Sequence, residues 1–116
     1  MNESILDKPK NQLDKSVWKL INGKYLPTSE ATKKINNVIK WVISKTNLNS
    51  FGVHITGSIT SNQYSENSDI DLHFISEAFT EENVEKLNKE IRELFISEYK
   101  LTNDSKIGTH EIEIYF

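Results

Sequence analysis

Residues 55–74 carry the side chains whose types and spacing could do chemistry. The pair Gly57-Ser58 ends one apolar, alternating stretch, and Asp69 and Asp71 open the next. Glycine lets the backbone approach a phosphate closely, and the N–H and hydroxyl of serine can donate hydrogen bonds to phosphate oxygens. Two carboxylates can hold a divalent metal ion. The segment therefore indicates phosphoryl-transfer chemistry on a nucleotide.

Two helices and three strands are predicted to position these residues. Thr28 or Ser29 caps a first helix, whose apolar residues recur at helical spacing until residues 46–47. Thr80 caps a second helix, and the polar residues 61–68 form a loop. Alternating apolar residues predict three strands, over residues 51–55, 69–74 and 109–116. This order of elements indicates an α/β or α+β domain with helices covering one face of a small sheet.

The last two strands place carboxylates on the face that the apolar residues leave. Asp69 and Asp71 share this face on one strand, and Glu111 and Glu113 share it on the other. If the strands are neighbours, about 4.8 Å apart, three carboxylates can converge and raise one another's pKa values. Bound Mg²⁺ or Mn²⁺ would relieve the repulsion, and two such ions can support an in-line displacement. Ca²⁺ is the alternative ion, although the EF-hand spacing is absent.

The composition is that of one domain of 116 residues, of which 36% are hydrophobic and 27% charged. The absence of cysteine excludes disulfides and thiolate-bound zinc. The net charge is -3 and Arg92 is the single arginine, so an extended nucleic-acid-binding face is not expected. The N-terminal residues lack the apolar core of a signal peptide, and no apolar run reaches the ~20 residues of a membrane span. We therefore expect a cytoplasmic protein with no membrane partner.

The chain divides into residues 1–27, a partly flexible N-terminal arm, and residues 28–116, the core domain. Within the arm, residues 17–21 predict a short packed segment that ends at the turn Asn22-Gly23. We interpret His54 and His110 as structural residues, without a predicted partner.

The Gly-Ser/Asp-x-Asp element resembles the signature of the nucleotidyltransferase superfamily typified by DNA polymerase beta. That signature is a hydrophobic residue, Gly-Ser, a spacer of about ten residues and Asp-hydrophobic-Asp-hydrophobic, followed by a third carboxylate on a later strand. Gly57, Ser58, Asp69 and Asp71 match it, and Glu113 is the best third carboxylate by family position. The chain is most similar to small phage nucleotidyltransferases, which carry runs like S-D-I-D-L-H and H-E-I-E-I-Y. The resemblance implies a minimal nucleotidyltransferase fold with a small mixed sheet.

The resemblance also implies an activity, the Mg²⁺-dependent transfer of a nucleoside monophosphate from an NTP to an acceptor hydroxyl. The acceptor, a protein, a small molecule or an RNA end, is not identified by the sequence. Asp69, Asp71 and Glu113 would be the catalytic and metal-binding residues. Gly57 and Ser58 would hold the phosphates of the nucleotide. Ser68 joins this cofactor-binding set, although shaping the turn before the first aspartate is its simpler role.

Two departures from the family favour an alternative function, a weakly active or inactive nucleotidyltransferase-like module of a larger assembly. Many minimal relatives place an arginine shortly after Gly-Ser, where this chain has Ile59, Thr60 and Ser61. No lysine or arginine lies between Lys45 and Lys86. No further domain follows the last predicted strand in this sequence.

Overall fold

The computed structural model describes residues 12–61 and 64–116. These described residues form two long helices, α1 (Ser29–Thr46) and α2 (Glu81–Leu94). A π-helical turn, Phe95–Tyr99, and a last α-helical turn, Lys100–Thr102, continue α2. The strands are β1 (Trp18–Ile21), β2 (Lys24–Pro27), β3 (Gly52–Thr56), β4 (Ile70–Ile75), β5 (Lys106–Ile107) and β6 (His110–Tyr115).

The main sheet has four strands in the order β3-β4-β6-β5. Strand β4 runs antiparallel to β3 and parallel to β6, and β5 is antiparallel to β6. The parallel pair requires a crossover connection, which α2 supplies. The sheet is therefore mixed, as predicted, and its three longer strands lie within a residue or two of their predicted positions.

Both long helices begin where the sequence predicts. The Oγ1 atom of Thr28 accepts a hydrogen bond from the backbone N–H of Ala31, and Oγ1 of Thr80 accepts one from Asn83. These caps satisfy N–H groups that have no partner within the first helical turn. No helix within the described ranges combines the length and the apolar character that a membrane span requires.

The hydrophobic core lies on one face of the sheet. The apolar residues of β4 and β6 are buried there with residues of both helices, of the π-helical turn and of the turn after β3: Val38, Val42, Ile59, Ile70, Leu72, Phe74, Ile91, Phe95, Ile112 and Ile114. The residues that alternate with them on β4 and β6 stay half-buried on the other face. The helices thus cover one face, which confirms the predicted fold class and leaves the carboxylate face open.

A two-stranded hairpin, β1 and β2, precedes the first helix. Its turn, Asn22-Gly23, has positive φ angles of 51° and 77°, the geometry of a tight hairpin turn. The expected packing holds for Val17, which is fully buried, whereas Leu20 and Ile21 are 52% and 43% exposed. The division into arm and core stays a prediction, and residues 1–11 of the arm lie outside the described residues.

Candidate active site

A sharp turn after β3 carries the Gly-Ser pair. Gly57 has φ 93° and ψ 179°, a backbone conformation that is nearly restricted to glycine. A Cβ atom at this position would lie 2.7 Å from Oδ2 of Asp71, closer than real Cβ atoms approach an oxygen. A short 3₁₀ turn follows, in which the Gly57 carbonyl accepts hydrogen bonds from the backbone N–H and the hydroxyl of Thr60. Glycine therefore allows the turn and the Asp71 carboxylate to lie in contact.

The register of the sheet places two acidic side chains next to each other. Asp71 of β4 pairs with Thr56 of β3 on one side and with Glu113 of β6 on the other. Side chains at paired positions of adjacent strands, which lie about 4.8 Å apart, share one face of the sheet. Glu111 lies two residues before Glu113 on β6 and pairs with Lys106 of β5. Sequence spacing left these two glutamates equivalent, and the register brings Glu113 beside Asp71.

Electrostatic repulsion is concentrated at Asp71. Burial, and after it the charges of Asp69 and Glu113, raise the pKa of the Asp71 carboxyl above its ordinary value, while the charge of Arg92 lowers it. Asp69 lies immediately before β4 and is exposed. Within residues 12–61 and 64–116, neither Asp69 nor Asp71 forms a salt bridge. The negative charge on this part of the open face is therefore only partly compensated, by Arg92.

The donor atoms of this face are of the type that a hard divalent cation binds. The carboxylate oxygens of Asp69, Asp71 and Glu113 are the ligands that Mg²⁺ and Mn²⁺ prefer, and a bound cation would remove the repulsion at Asp71. In the part of the chain that the structure describes, however, no group of three or more His, Cys, Asp or Glu residues is placed to hold a metal ion. Glu113 is instead ion-paired, with its Oε2 atom 2.7 Å from Nζ of Lys100. The three-carboxylate metal site stays a prediction.

The two serines of the predicted cofactor-binding set contact each other. Their Oγ atoms lie 2.7 Å apart, although Ser58 is exposed and Ser68 is buried. Oγ of Ser68 also accepts a hydrogen bond from the backbone N–H of Ser65, at 2.9 Å. Ser68 thus ties the loop that leads into β4 to the Gly-Ser turn, while the exposed side of Ser58 faces outward. The binding of a ligand by Ser58 and Ser68 stays a prediction.

A buried histidine anchors the same loop, and its partners were not predicted. His110 is 1% exposed, and its Nδ1 atom donates to the carbonyl of Ser68 at 2.7 Å. Its Nε2 atom lies 2.6 Å from Oδ2 of Asp14. Burial opposes ionisation of Asp14, but hydrogen bonds from Ser16 and His110 lower its pKa below the ordinary value. The structural interpretation of His110 agrees with these contacts, which join residues 42 and 96 positions apart and leave no local sequence signal.

The N-terminal hairpin holds the other end of this loop. The indole Nε1–H of Trp18 donates to the carbonyl of Ile59, directly after the Gly-Ser pair, at 2.8 Å. The segment before α1 therefore binds the start of the connection between β3 and β4 directly, and it contacts the end of that connection through His110 of β6, which lies between Ser68 and Asp14. The sequence placed Trp18 in a short packed segment and did not predict this contact, because a side-chain donor gives no indication of a distant backbone acceptor.

A comparison with known proteins identifies the family to which this chain belongs. A family model described as the nucleotidyltransferase domain matches residues 35–114, from the middle of α1 to β6, and this range includes every predicted site residue. No curated protein and no solved structure matches the chain. The matched region covers more than half of the 116 residues and contains the Gly-Ser/Asp-x-Asp element with its later acidic strand. The chain therefore belongs to the nucleotidyltransferase domain family.

Proposed function

We propose that the protein transfers a nucleoside monophosphate from an NTP to an acceptor hydroxyl, in a reaction that depends on Mg²⁺ or Mn²⁺. The observation that carries this proposal is the register pair of Asp71 and Glu113 beside Gly57, within the range matched by the family model. The proposal retains the predicted cytoplasmic location and the likeness to small phage nucleotidyltransferases.

The Gly-Ser turn would bind the β- and γ-phosphates. At Gly57 no side chain blocks the approach of a phosphate, and the backbone N–H and hydroxyl of Ser58 are donors on an exposed turn. The contact between Ser58 and Ser68 limits the rotation of the Ser58 side chain, so that less conformational entropy is lost on binding. The chain thus supplies a positioned set of donors for the leaving group.

The acidic residues would act at the reacting phosphate. Asp69, Asp71 and Glu113 would hold the divalent ion, which when bound supplies charge neutralisation at the phosphates and lowers the pKa of an oxygen that it contacts. The acceptor oxygen attacks the α-phosphorus, and the bond to the β-phosphate oxygen breaks, so that pyrophosphate leaves. The proton of the acceptor hydroxyl passes to a carboxylate oxygen of Glu113, which lies on the same face as Asp71.

The test is a transfer assay with α-³²P-labelled NTPs. Each of the four NTPs is incubated with Mg²⁺ or Mn²⁺ and with protein, small-molecule or RNA acceptors. Asp71→Asn should lower product formation by at least about 100-fold, because it removes a negatively charged ligand of the proposed divalent ion, which would neutralise charge at the phosphates. Exposed Glu85 offers a control, since Glu85→Gln makes the same acid-to-amide change away from the site. Full activity of Asp71→Asn would contradict the proposal.

One observation favours the alternative of a module that binds nucleotide without turnover. The ion pair between Glu113 and Lys100 occupies the third carboxylate. Calorimetric titration with each NTP and Mg²⁺ would separate this alternative from a protein that binds nothing. Nucleotide binding without transfer to any acceptor would support the module, and robust transfer would eliminate it.

A further inference from the structure

A lysine lies in the acidic face at the position that the proposed function gives to a cation. Nζ of Lys100 is 2.7 Å from Glu113 Oε2 and 3.5 Å from Glu111 Oε1. The side chains of Lys100 and Glu113 are only 18% and 22% exposed. The ammonium also lies 5.5 Å from the ring centroid of Phe95, within the range of a cation–π contact. This pair is therefore partly desolvated, unlike an ordinary surface salt bridge.

Helix α2 and the turns that continue it bring this lysine to the sheet. The side-chain amide of Asn88 exchanges two hydrogen bonds with the backbone of Phe116, at 3.0 and 2.8 Å, which fixes α2 beside β6. One turn later, the guanidinium of Arg92 lies 4.2 Å from the ring centroid of Tyr115, on the carboxylate face. Arg92 and Lys100 are thus two cations that reach the site from the helix.

The π-helical turn between them keeps both cations on one side. In an uninterrupted α-helix, eight residues after Arg92 would place Lys100 roughly 80° away around the axis. A π-helical turn accommodates one extra residue, so that these eight residues rotate about as far as seven and the misalignment falls to roughly 20°. The turn Phe95–Tyr99 therefore directs Lys100 toward β6.

Lys100 has the chemistry to change partners. Its ammonium is a compact charge on a flexible stem, and it binds phosphate as readily as carboxylate. A divalent ion at Glu113 would repel it, whereas the triphosphate of an incoming NTP would attract it. The sequence has no lysine or arginine between Lys45 and Lys86, a range that includes the Gly-Ser turn.

Resting on the proposed function, we propose that Lys100 takes the place of a cation at Glu113 in the metal-free protein and transfers to the polyphosphate when the divalent ion and the nucleotide bind. The lysine competes with the ion and assists the nucleotide. Its removal therefore shifts the two affinities in opposite directions. A purely structural role would not do so, since loss of packing weakens both.

The experiment measures Mn²⁺ affinity by electron paramagnetic resonance, first without nucleotide, in wild type, Lys100→Met and Lys100→Gln. Freeing Glu113 should tighten Mn²⁺ binding by about tenfold, because the ion no longer displaces a partly buried ammonium. The affinity for a nonhydrolysable NTP at saturating Mn²⁺, measured by calorimetry, should fall by about tenfold. Lys106→Met is the matched control, because Lys106 has the same charge, lies 3.9 Å from Glu111 and forms no described ion pair with Glu113.

Unchanged or weaker Mn²⁺ binding in both Lys100 variants would overturn the proposal, as would tighter Mn²⁺ binding with unchanged NTP affinity. Thermal unfolding identifies a variant that has not folded. Two substitutions are used, one apolar and one polar, so that if one of them prevents folding the other still tests the proposal. If the Lys100 variants keep wild-type transfer activity and unaltered Mn²⁺ affinity, the role of Lys100 is refuted but the proposed activity is not. If the affinities shift as expected but neither wild type nor variants transfer a nucleotide, the proposed activity is refuted but the role of Lys100 is not.

Discussion

Replacing Gly57 by alanine tests the geometry on which the candidate site depends. The new methyl group would lie 2.7 Å from Oδ2 of Asp71, and the backbone there has φ 93°. Two effects follow, one on the stability of the turn and one on the position of the carboxylate. Both should appear in the same variant.

The magnitude follows from these two effects. The φ and ψ of 93° and 179° at Gly57 cost about 1–3 kcal/mol for a residue with a side chain, which lowers Tm by about 4–12 °C in a domain of this size. Real Cβ atoms essentially never approach another atom within 3.0 Å, so the Asp71 carboxylate must also move by about 0.3 Å or more. Such a displacement should weaken the binding of a metal–nucleotide complex by about tenfold or more.

Gly23→Ala separates the two effects. Gly23 also has a positive φ, 77°, but no atom lies within 4 Å of the position that its Cβ would take. This control should lower Tm through backbone strain of about 1–2 kcal/mol and leave nucleotide affinity unchanged. Circular dichroism measures Tm, and calorimetry with Mn²⁺ and a nonhydrolysable NTP measures affinity. Wild-type affinity in Gly57→Ala would refute the inferred contact between the turn and Asp71.

Asp71→Asn should raise the free energy of unfolding of the metal-free protein at pH 7. Burial first, then the charges of Asp69 and Glu113, raise the pKa of Asp71 in the folded state. The contribution of Asp71 to stability is therefore complete below its ordinary pKa of 3.8 and is lost as the pH rises through its folded-state pKa. Urea unfolding across this pH range measures the difference, and equal stabilities at pH 7 would contradict it. His110→Phe removes the hydrogen bond to the Ser68 carbonyl. It should lower the free energy of unfolding in urea by about 1–3 kcal/mol and weaken nucleotide binding. Unchanged values of both would show that this hydrogen bond is dispensable. Trp18→Phe removes one hydrogen bond and should cost about 1 kcal/mol, so a wild-type thermal midpoint would argue against that bond.

Local patterns predicted much of the fold because they depend on near neighbours. The alternation of Ile70 and Leu72 with Asp69 and Asp71 identified a strand with one buried face, and the structure has that strand and that face. The cap at Thr80 was equally local. The hairpin was interpreted only as a packed segment, because apolar residues such as Leu20 do not reveal that they face solvent.

The parts of the site that depend on tertiary contacts could not be predicted. Spacing left Glu111 and Glu113 equivalent, since only the strand register decides which one lies beside Asp71. The partnership of Lys100 with Glu113 depends on a widened helical turn that has no sequence signature. The resemblance to nucleotidyltransferases was confirmed by the matching family model, whereas the likeness to small phage members and the roles of the individual site residues stay predictions.

The link between Asp14 and His110 has a consequence for the order of folding. These residues are 96 positions apart, and together they secure the loop that leads to Asp69. During synthesis, the Gly-Ser turn emerges from the ribosome well before β6, so the contact between His110 and the loop after the turn can form only once the last strand has been made. Contacts of such long range are formed late, because closing a long loop costs entropy before any bond is gained. Nascent chains that end before His110 are therefore expected to lack a nucleotide-competent turn.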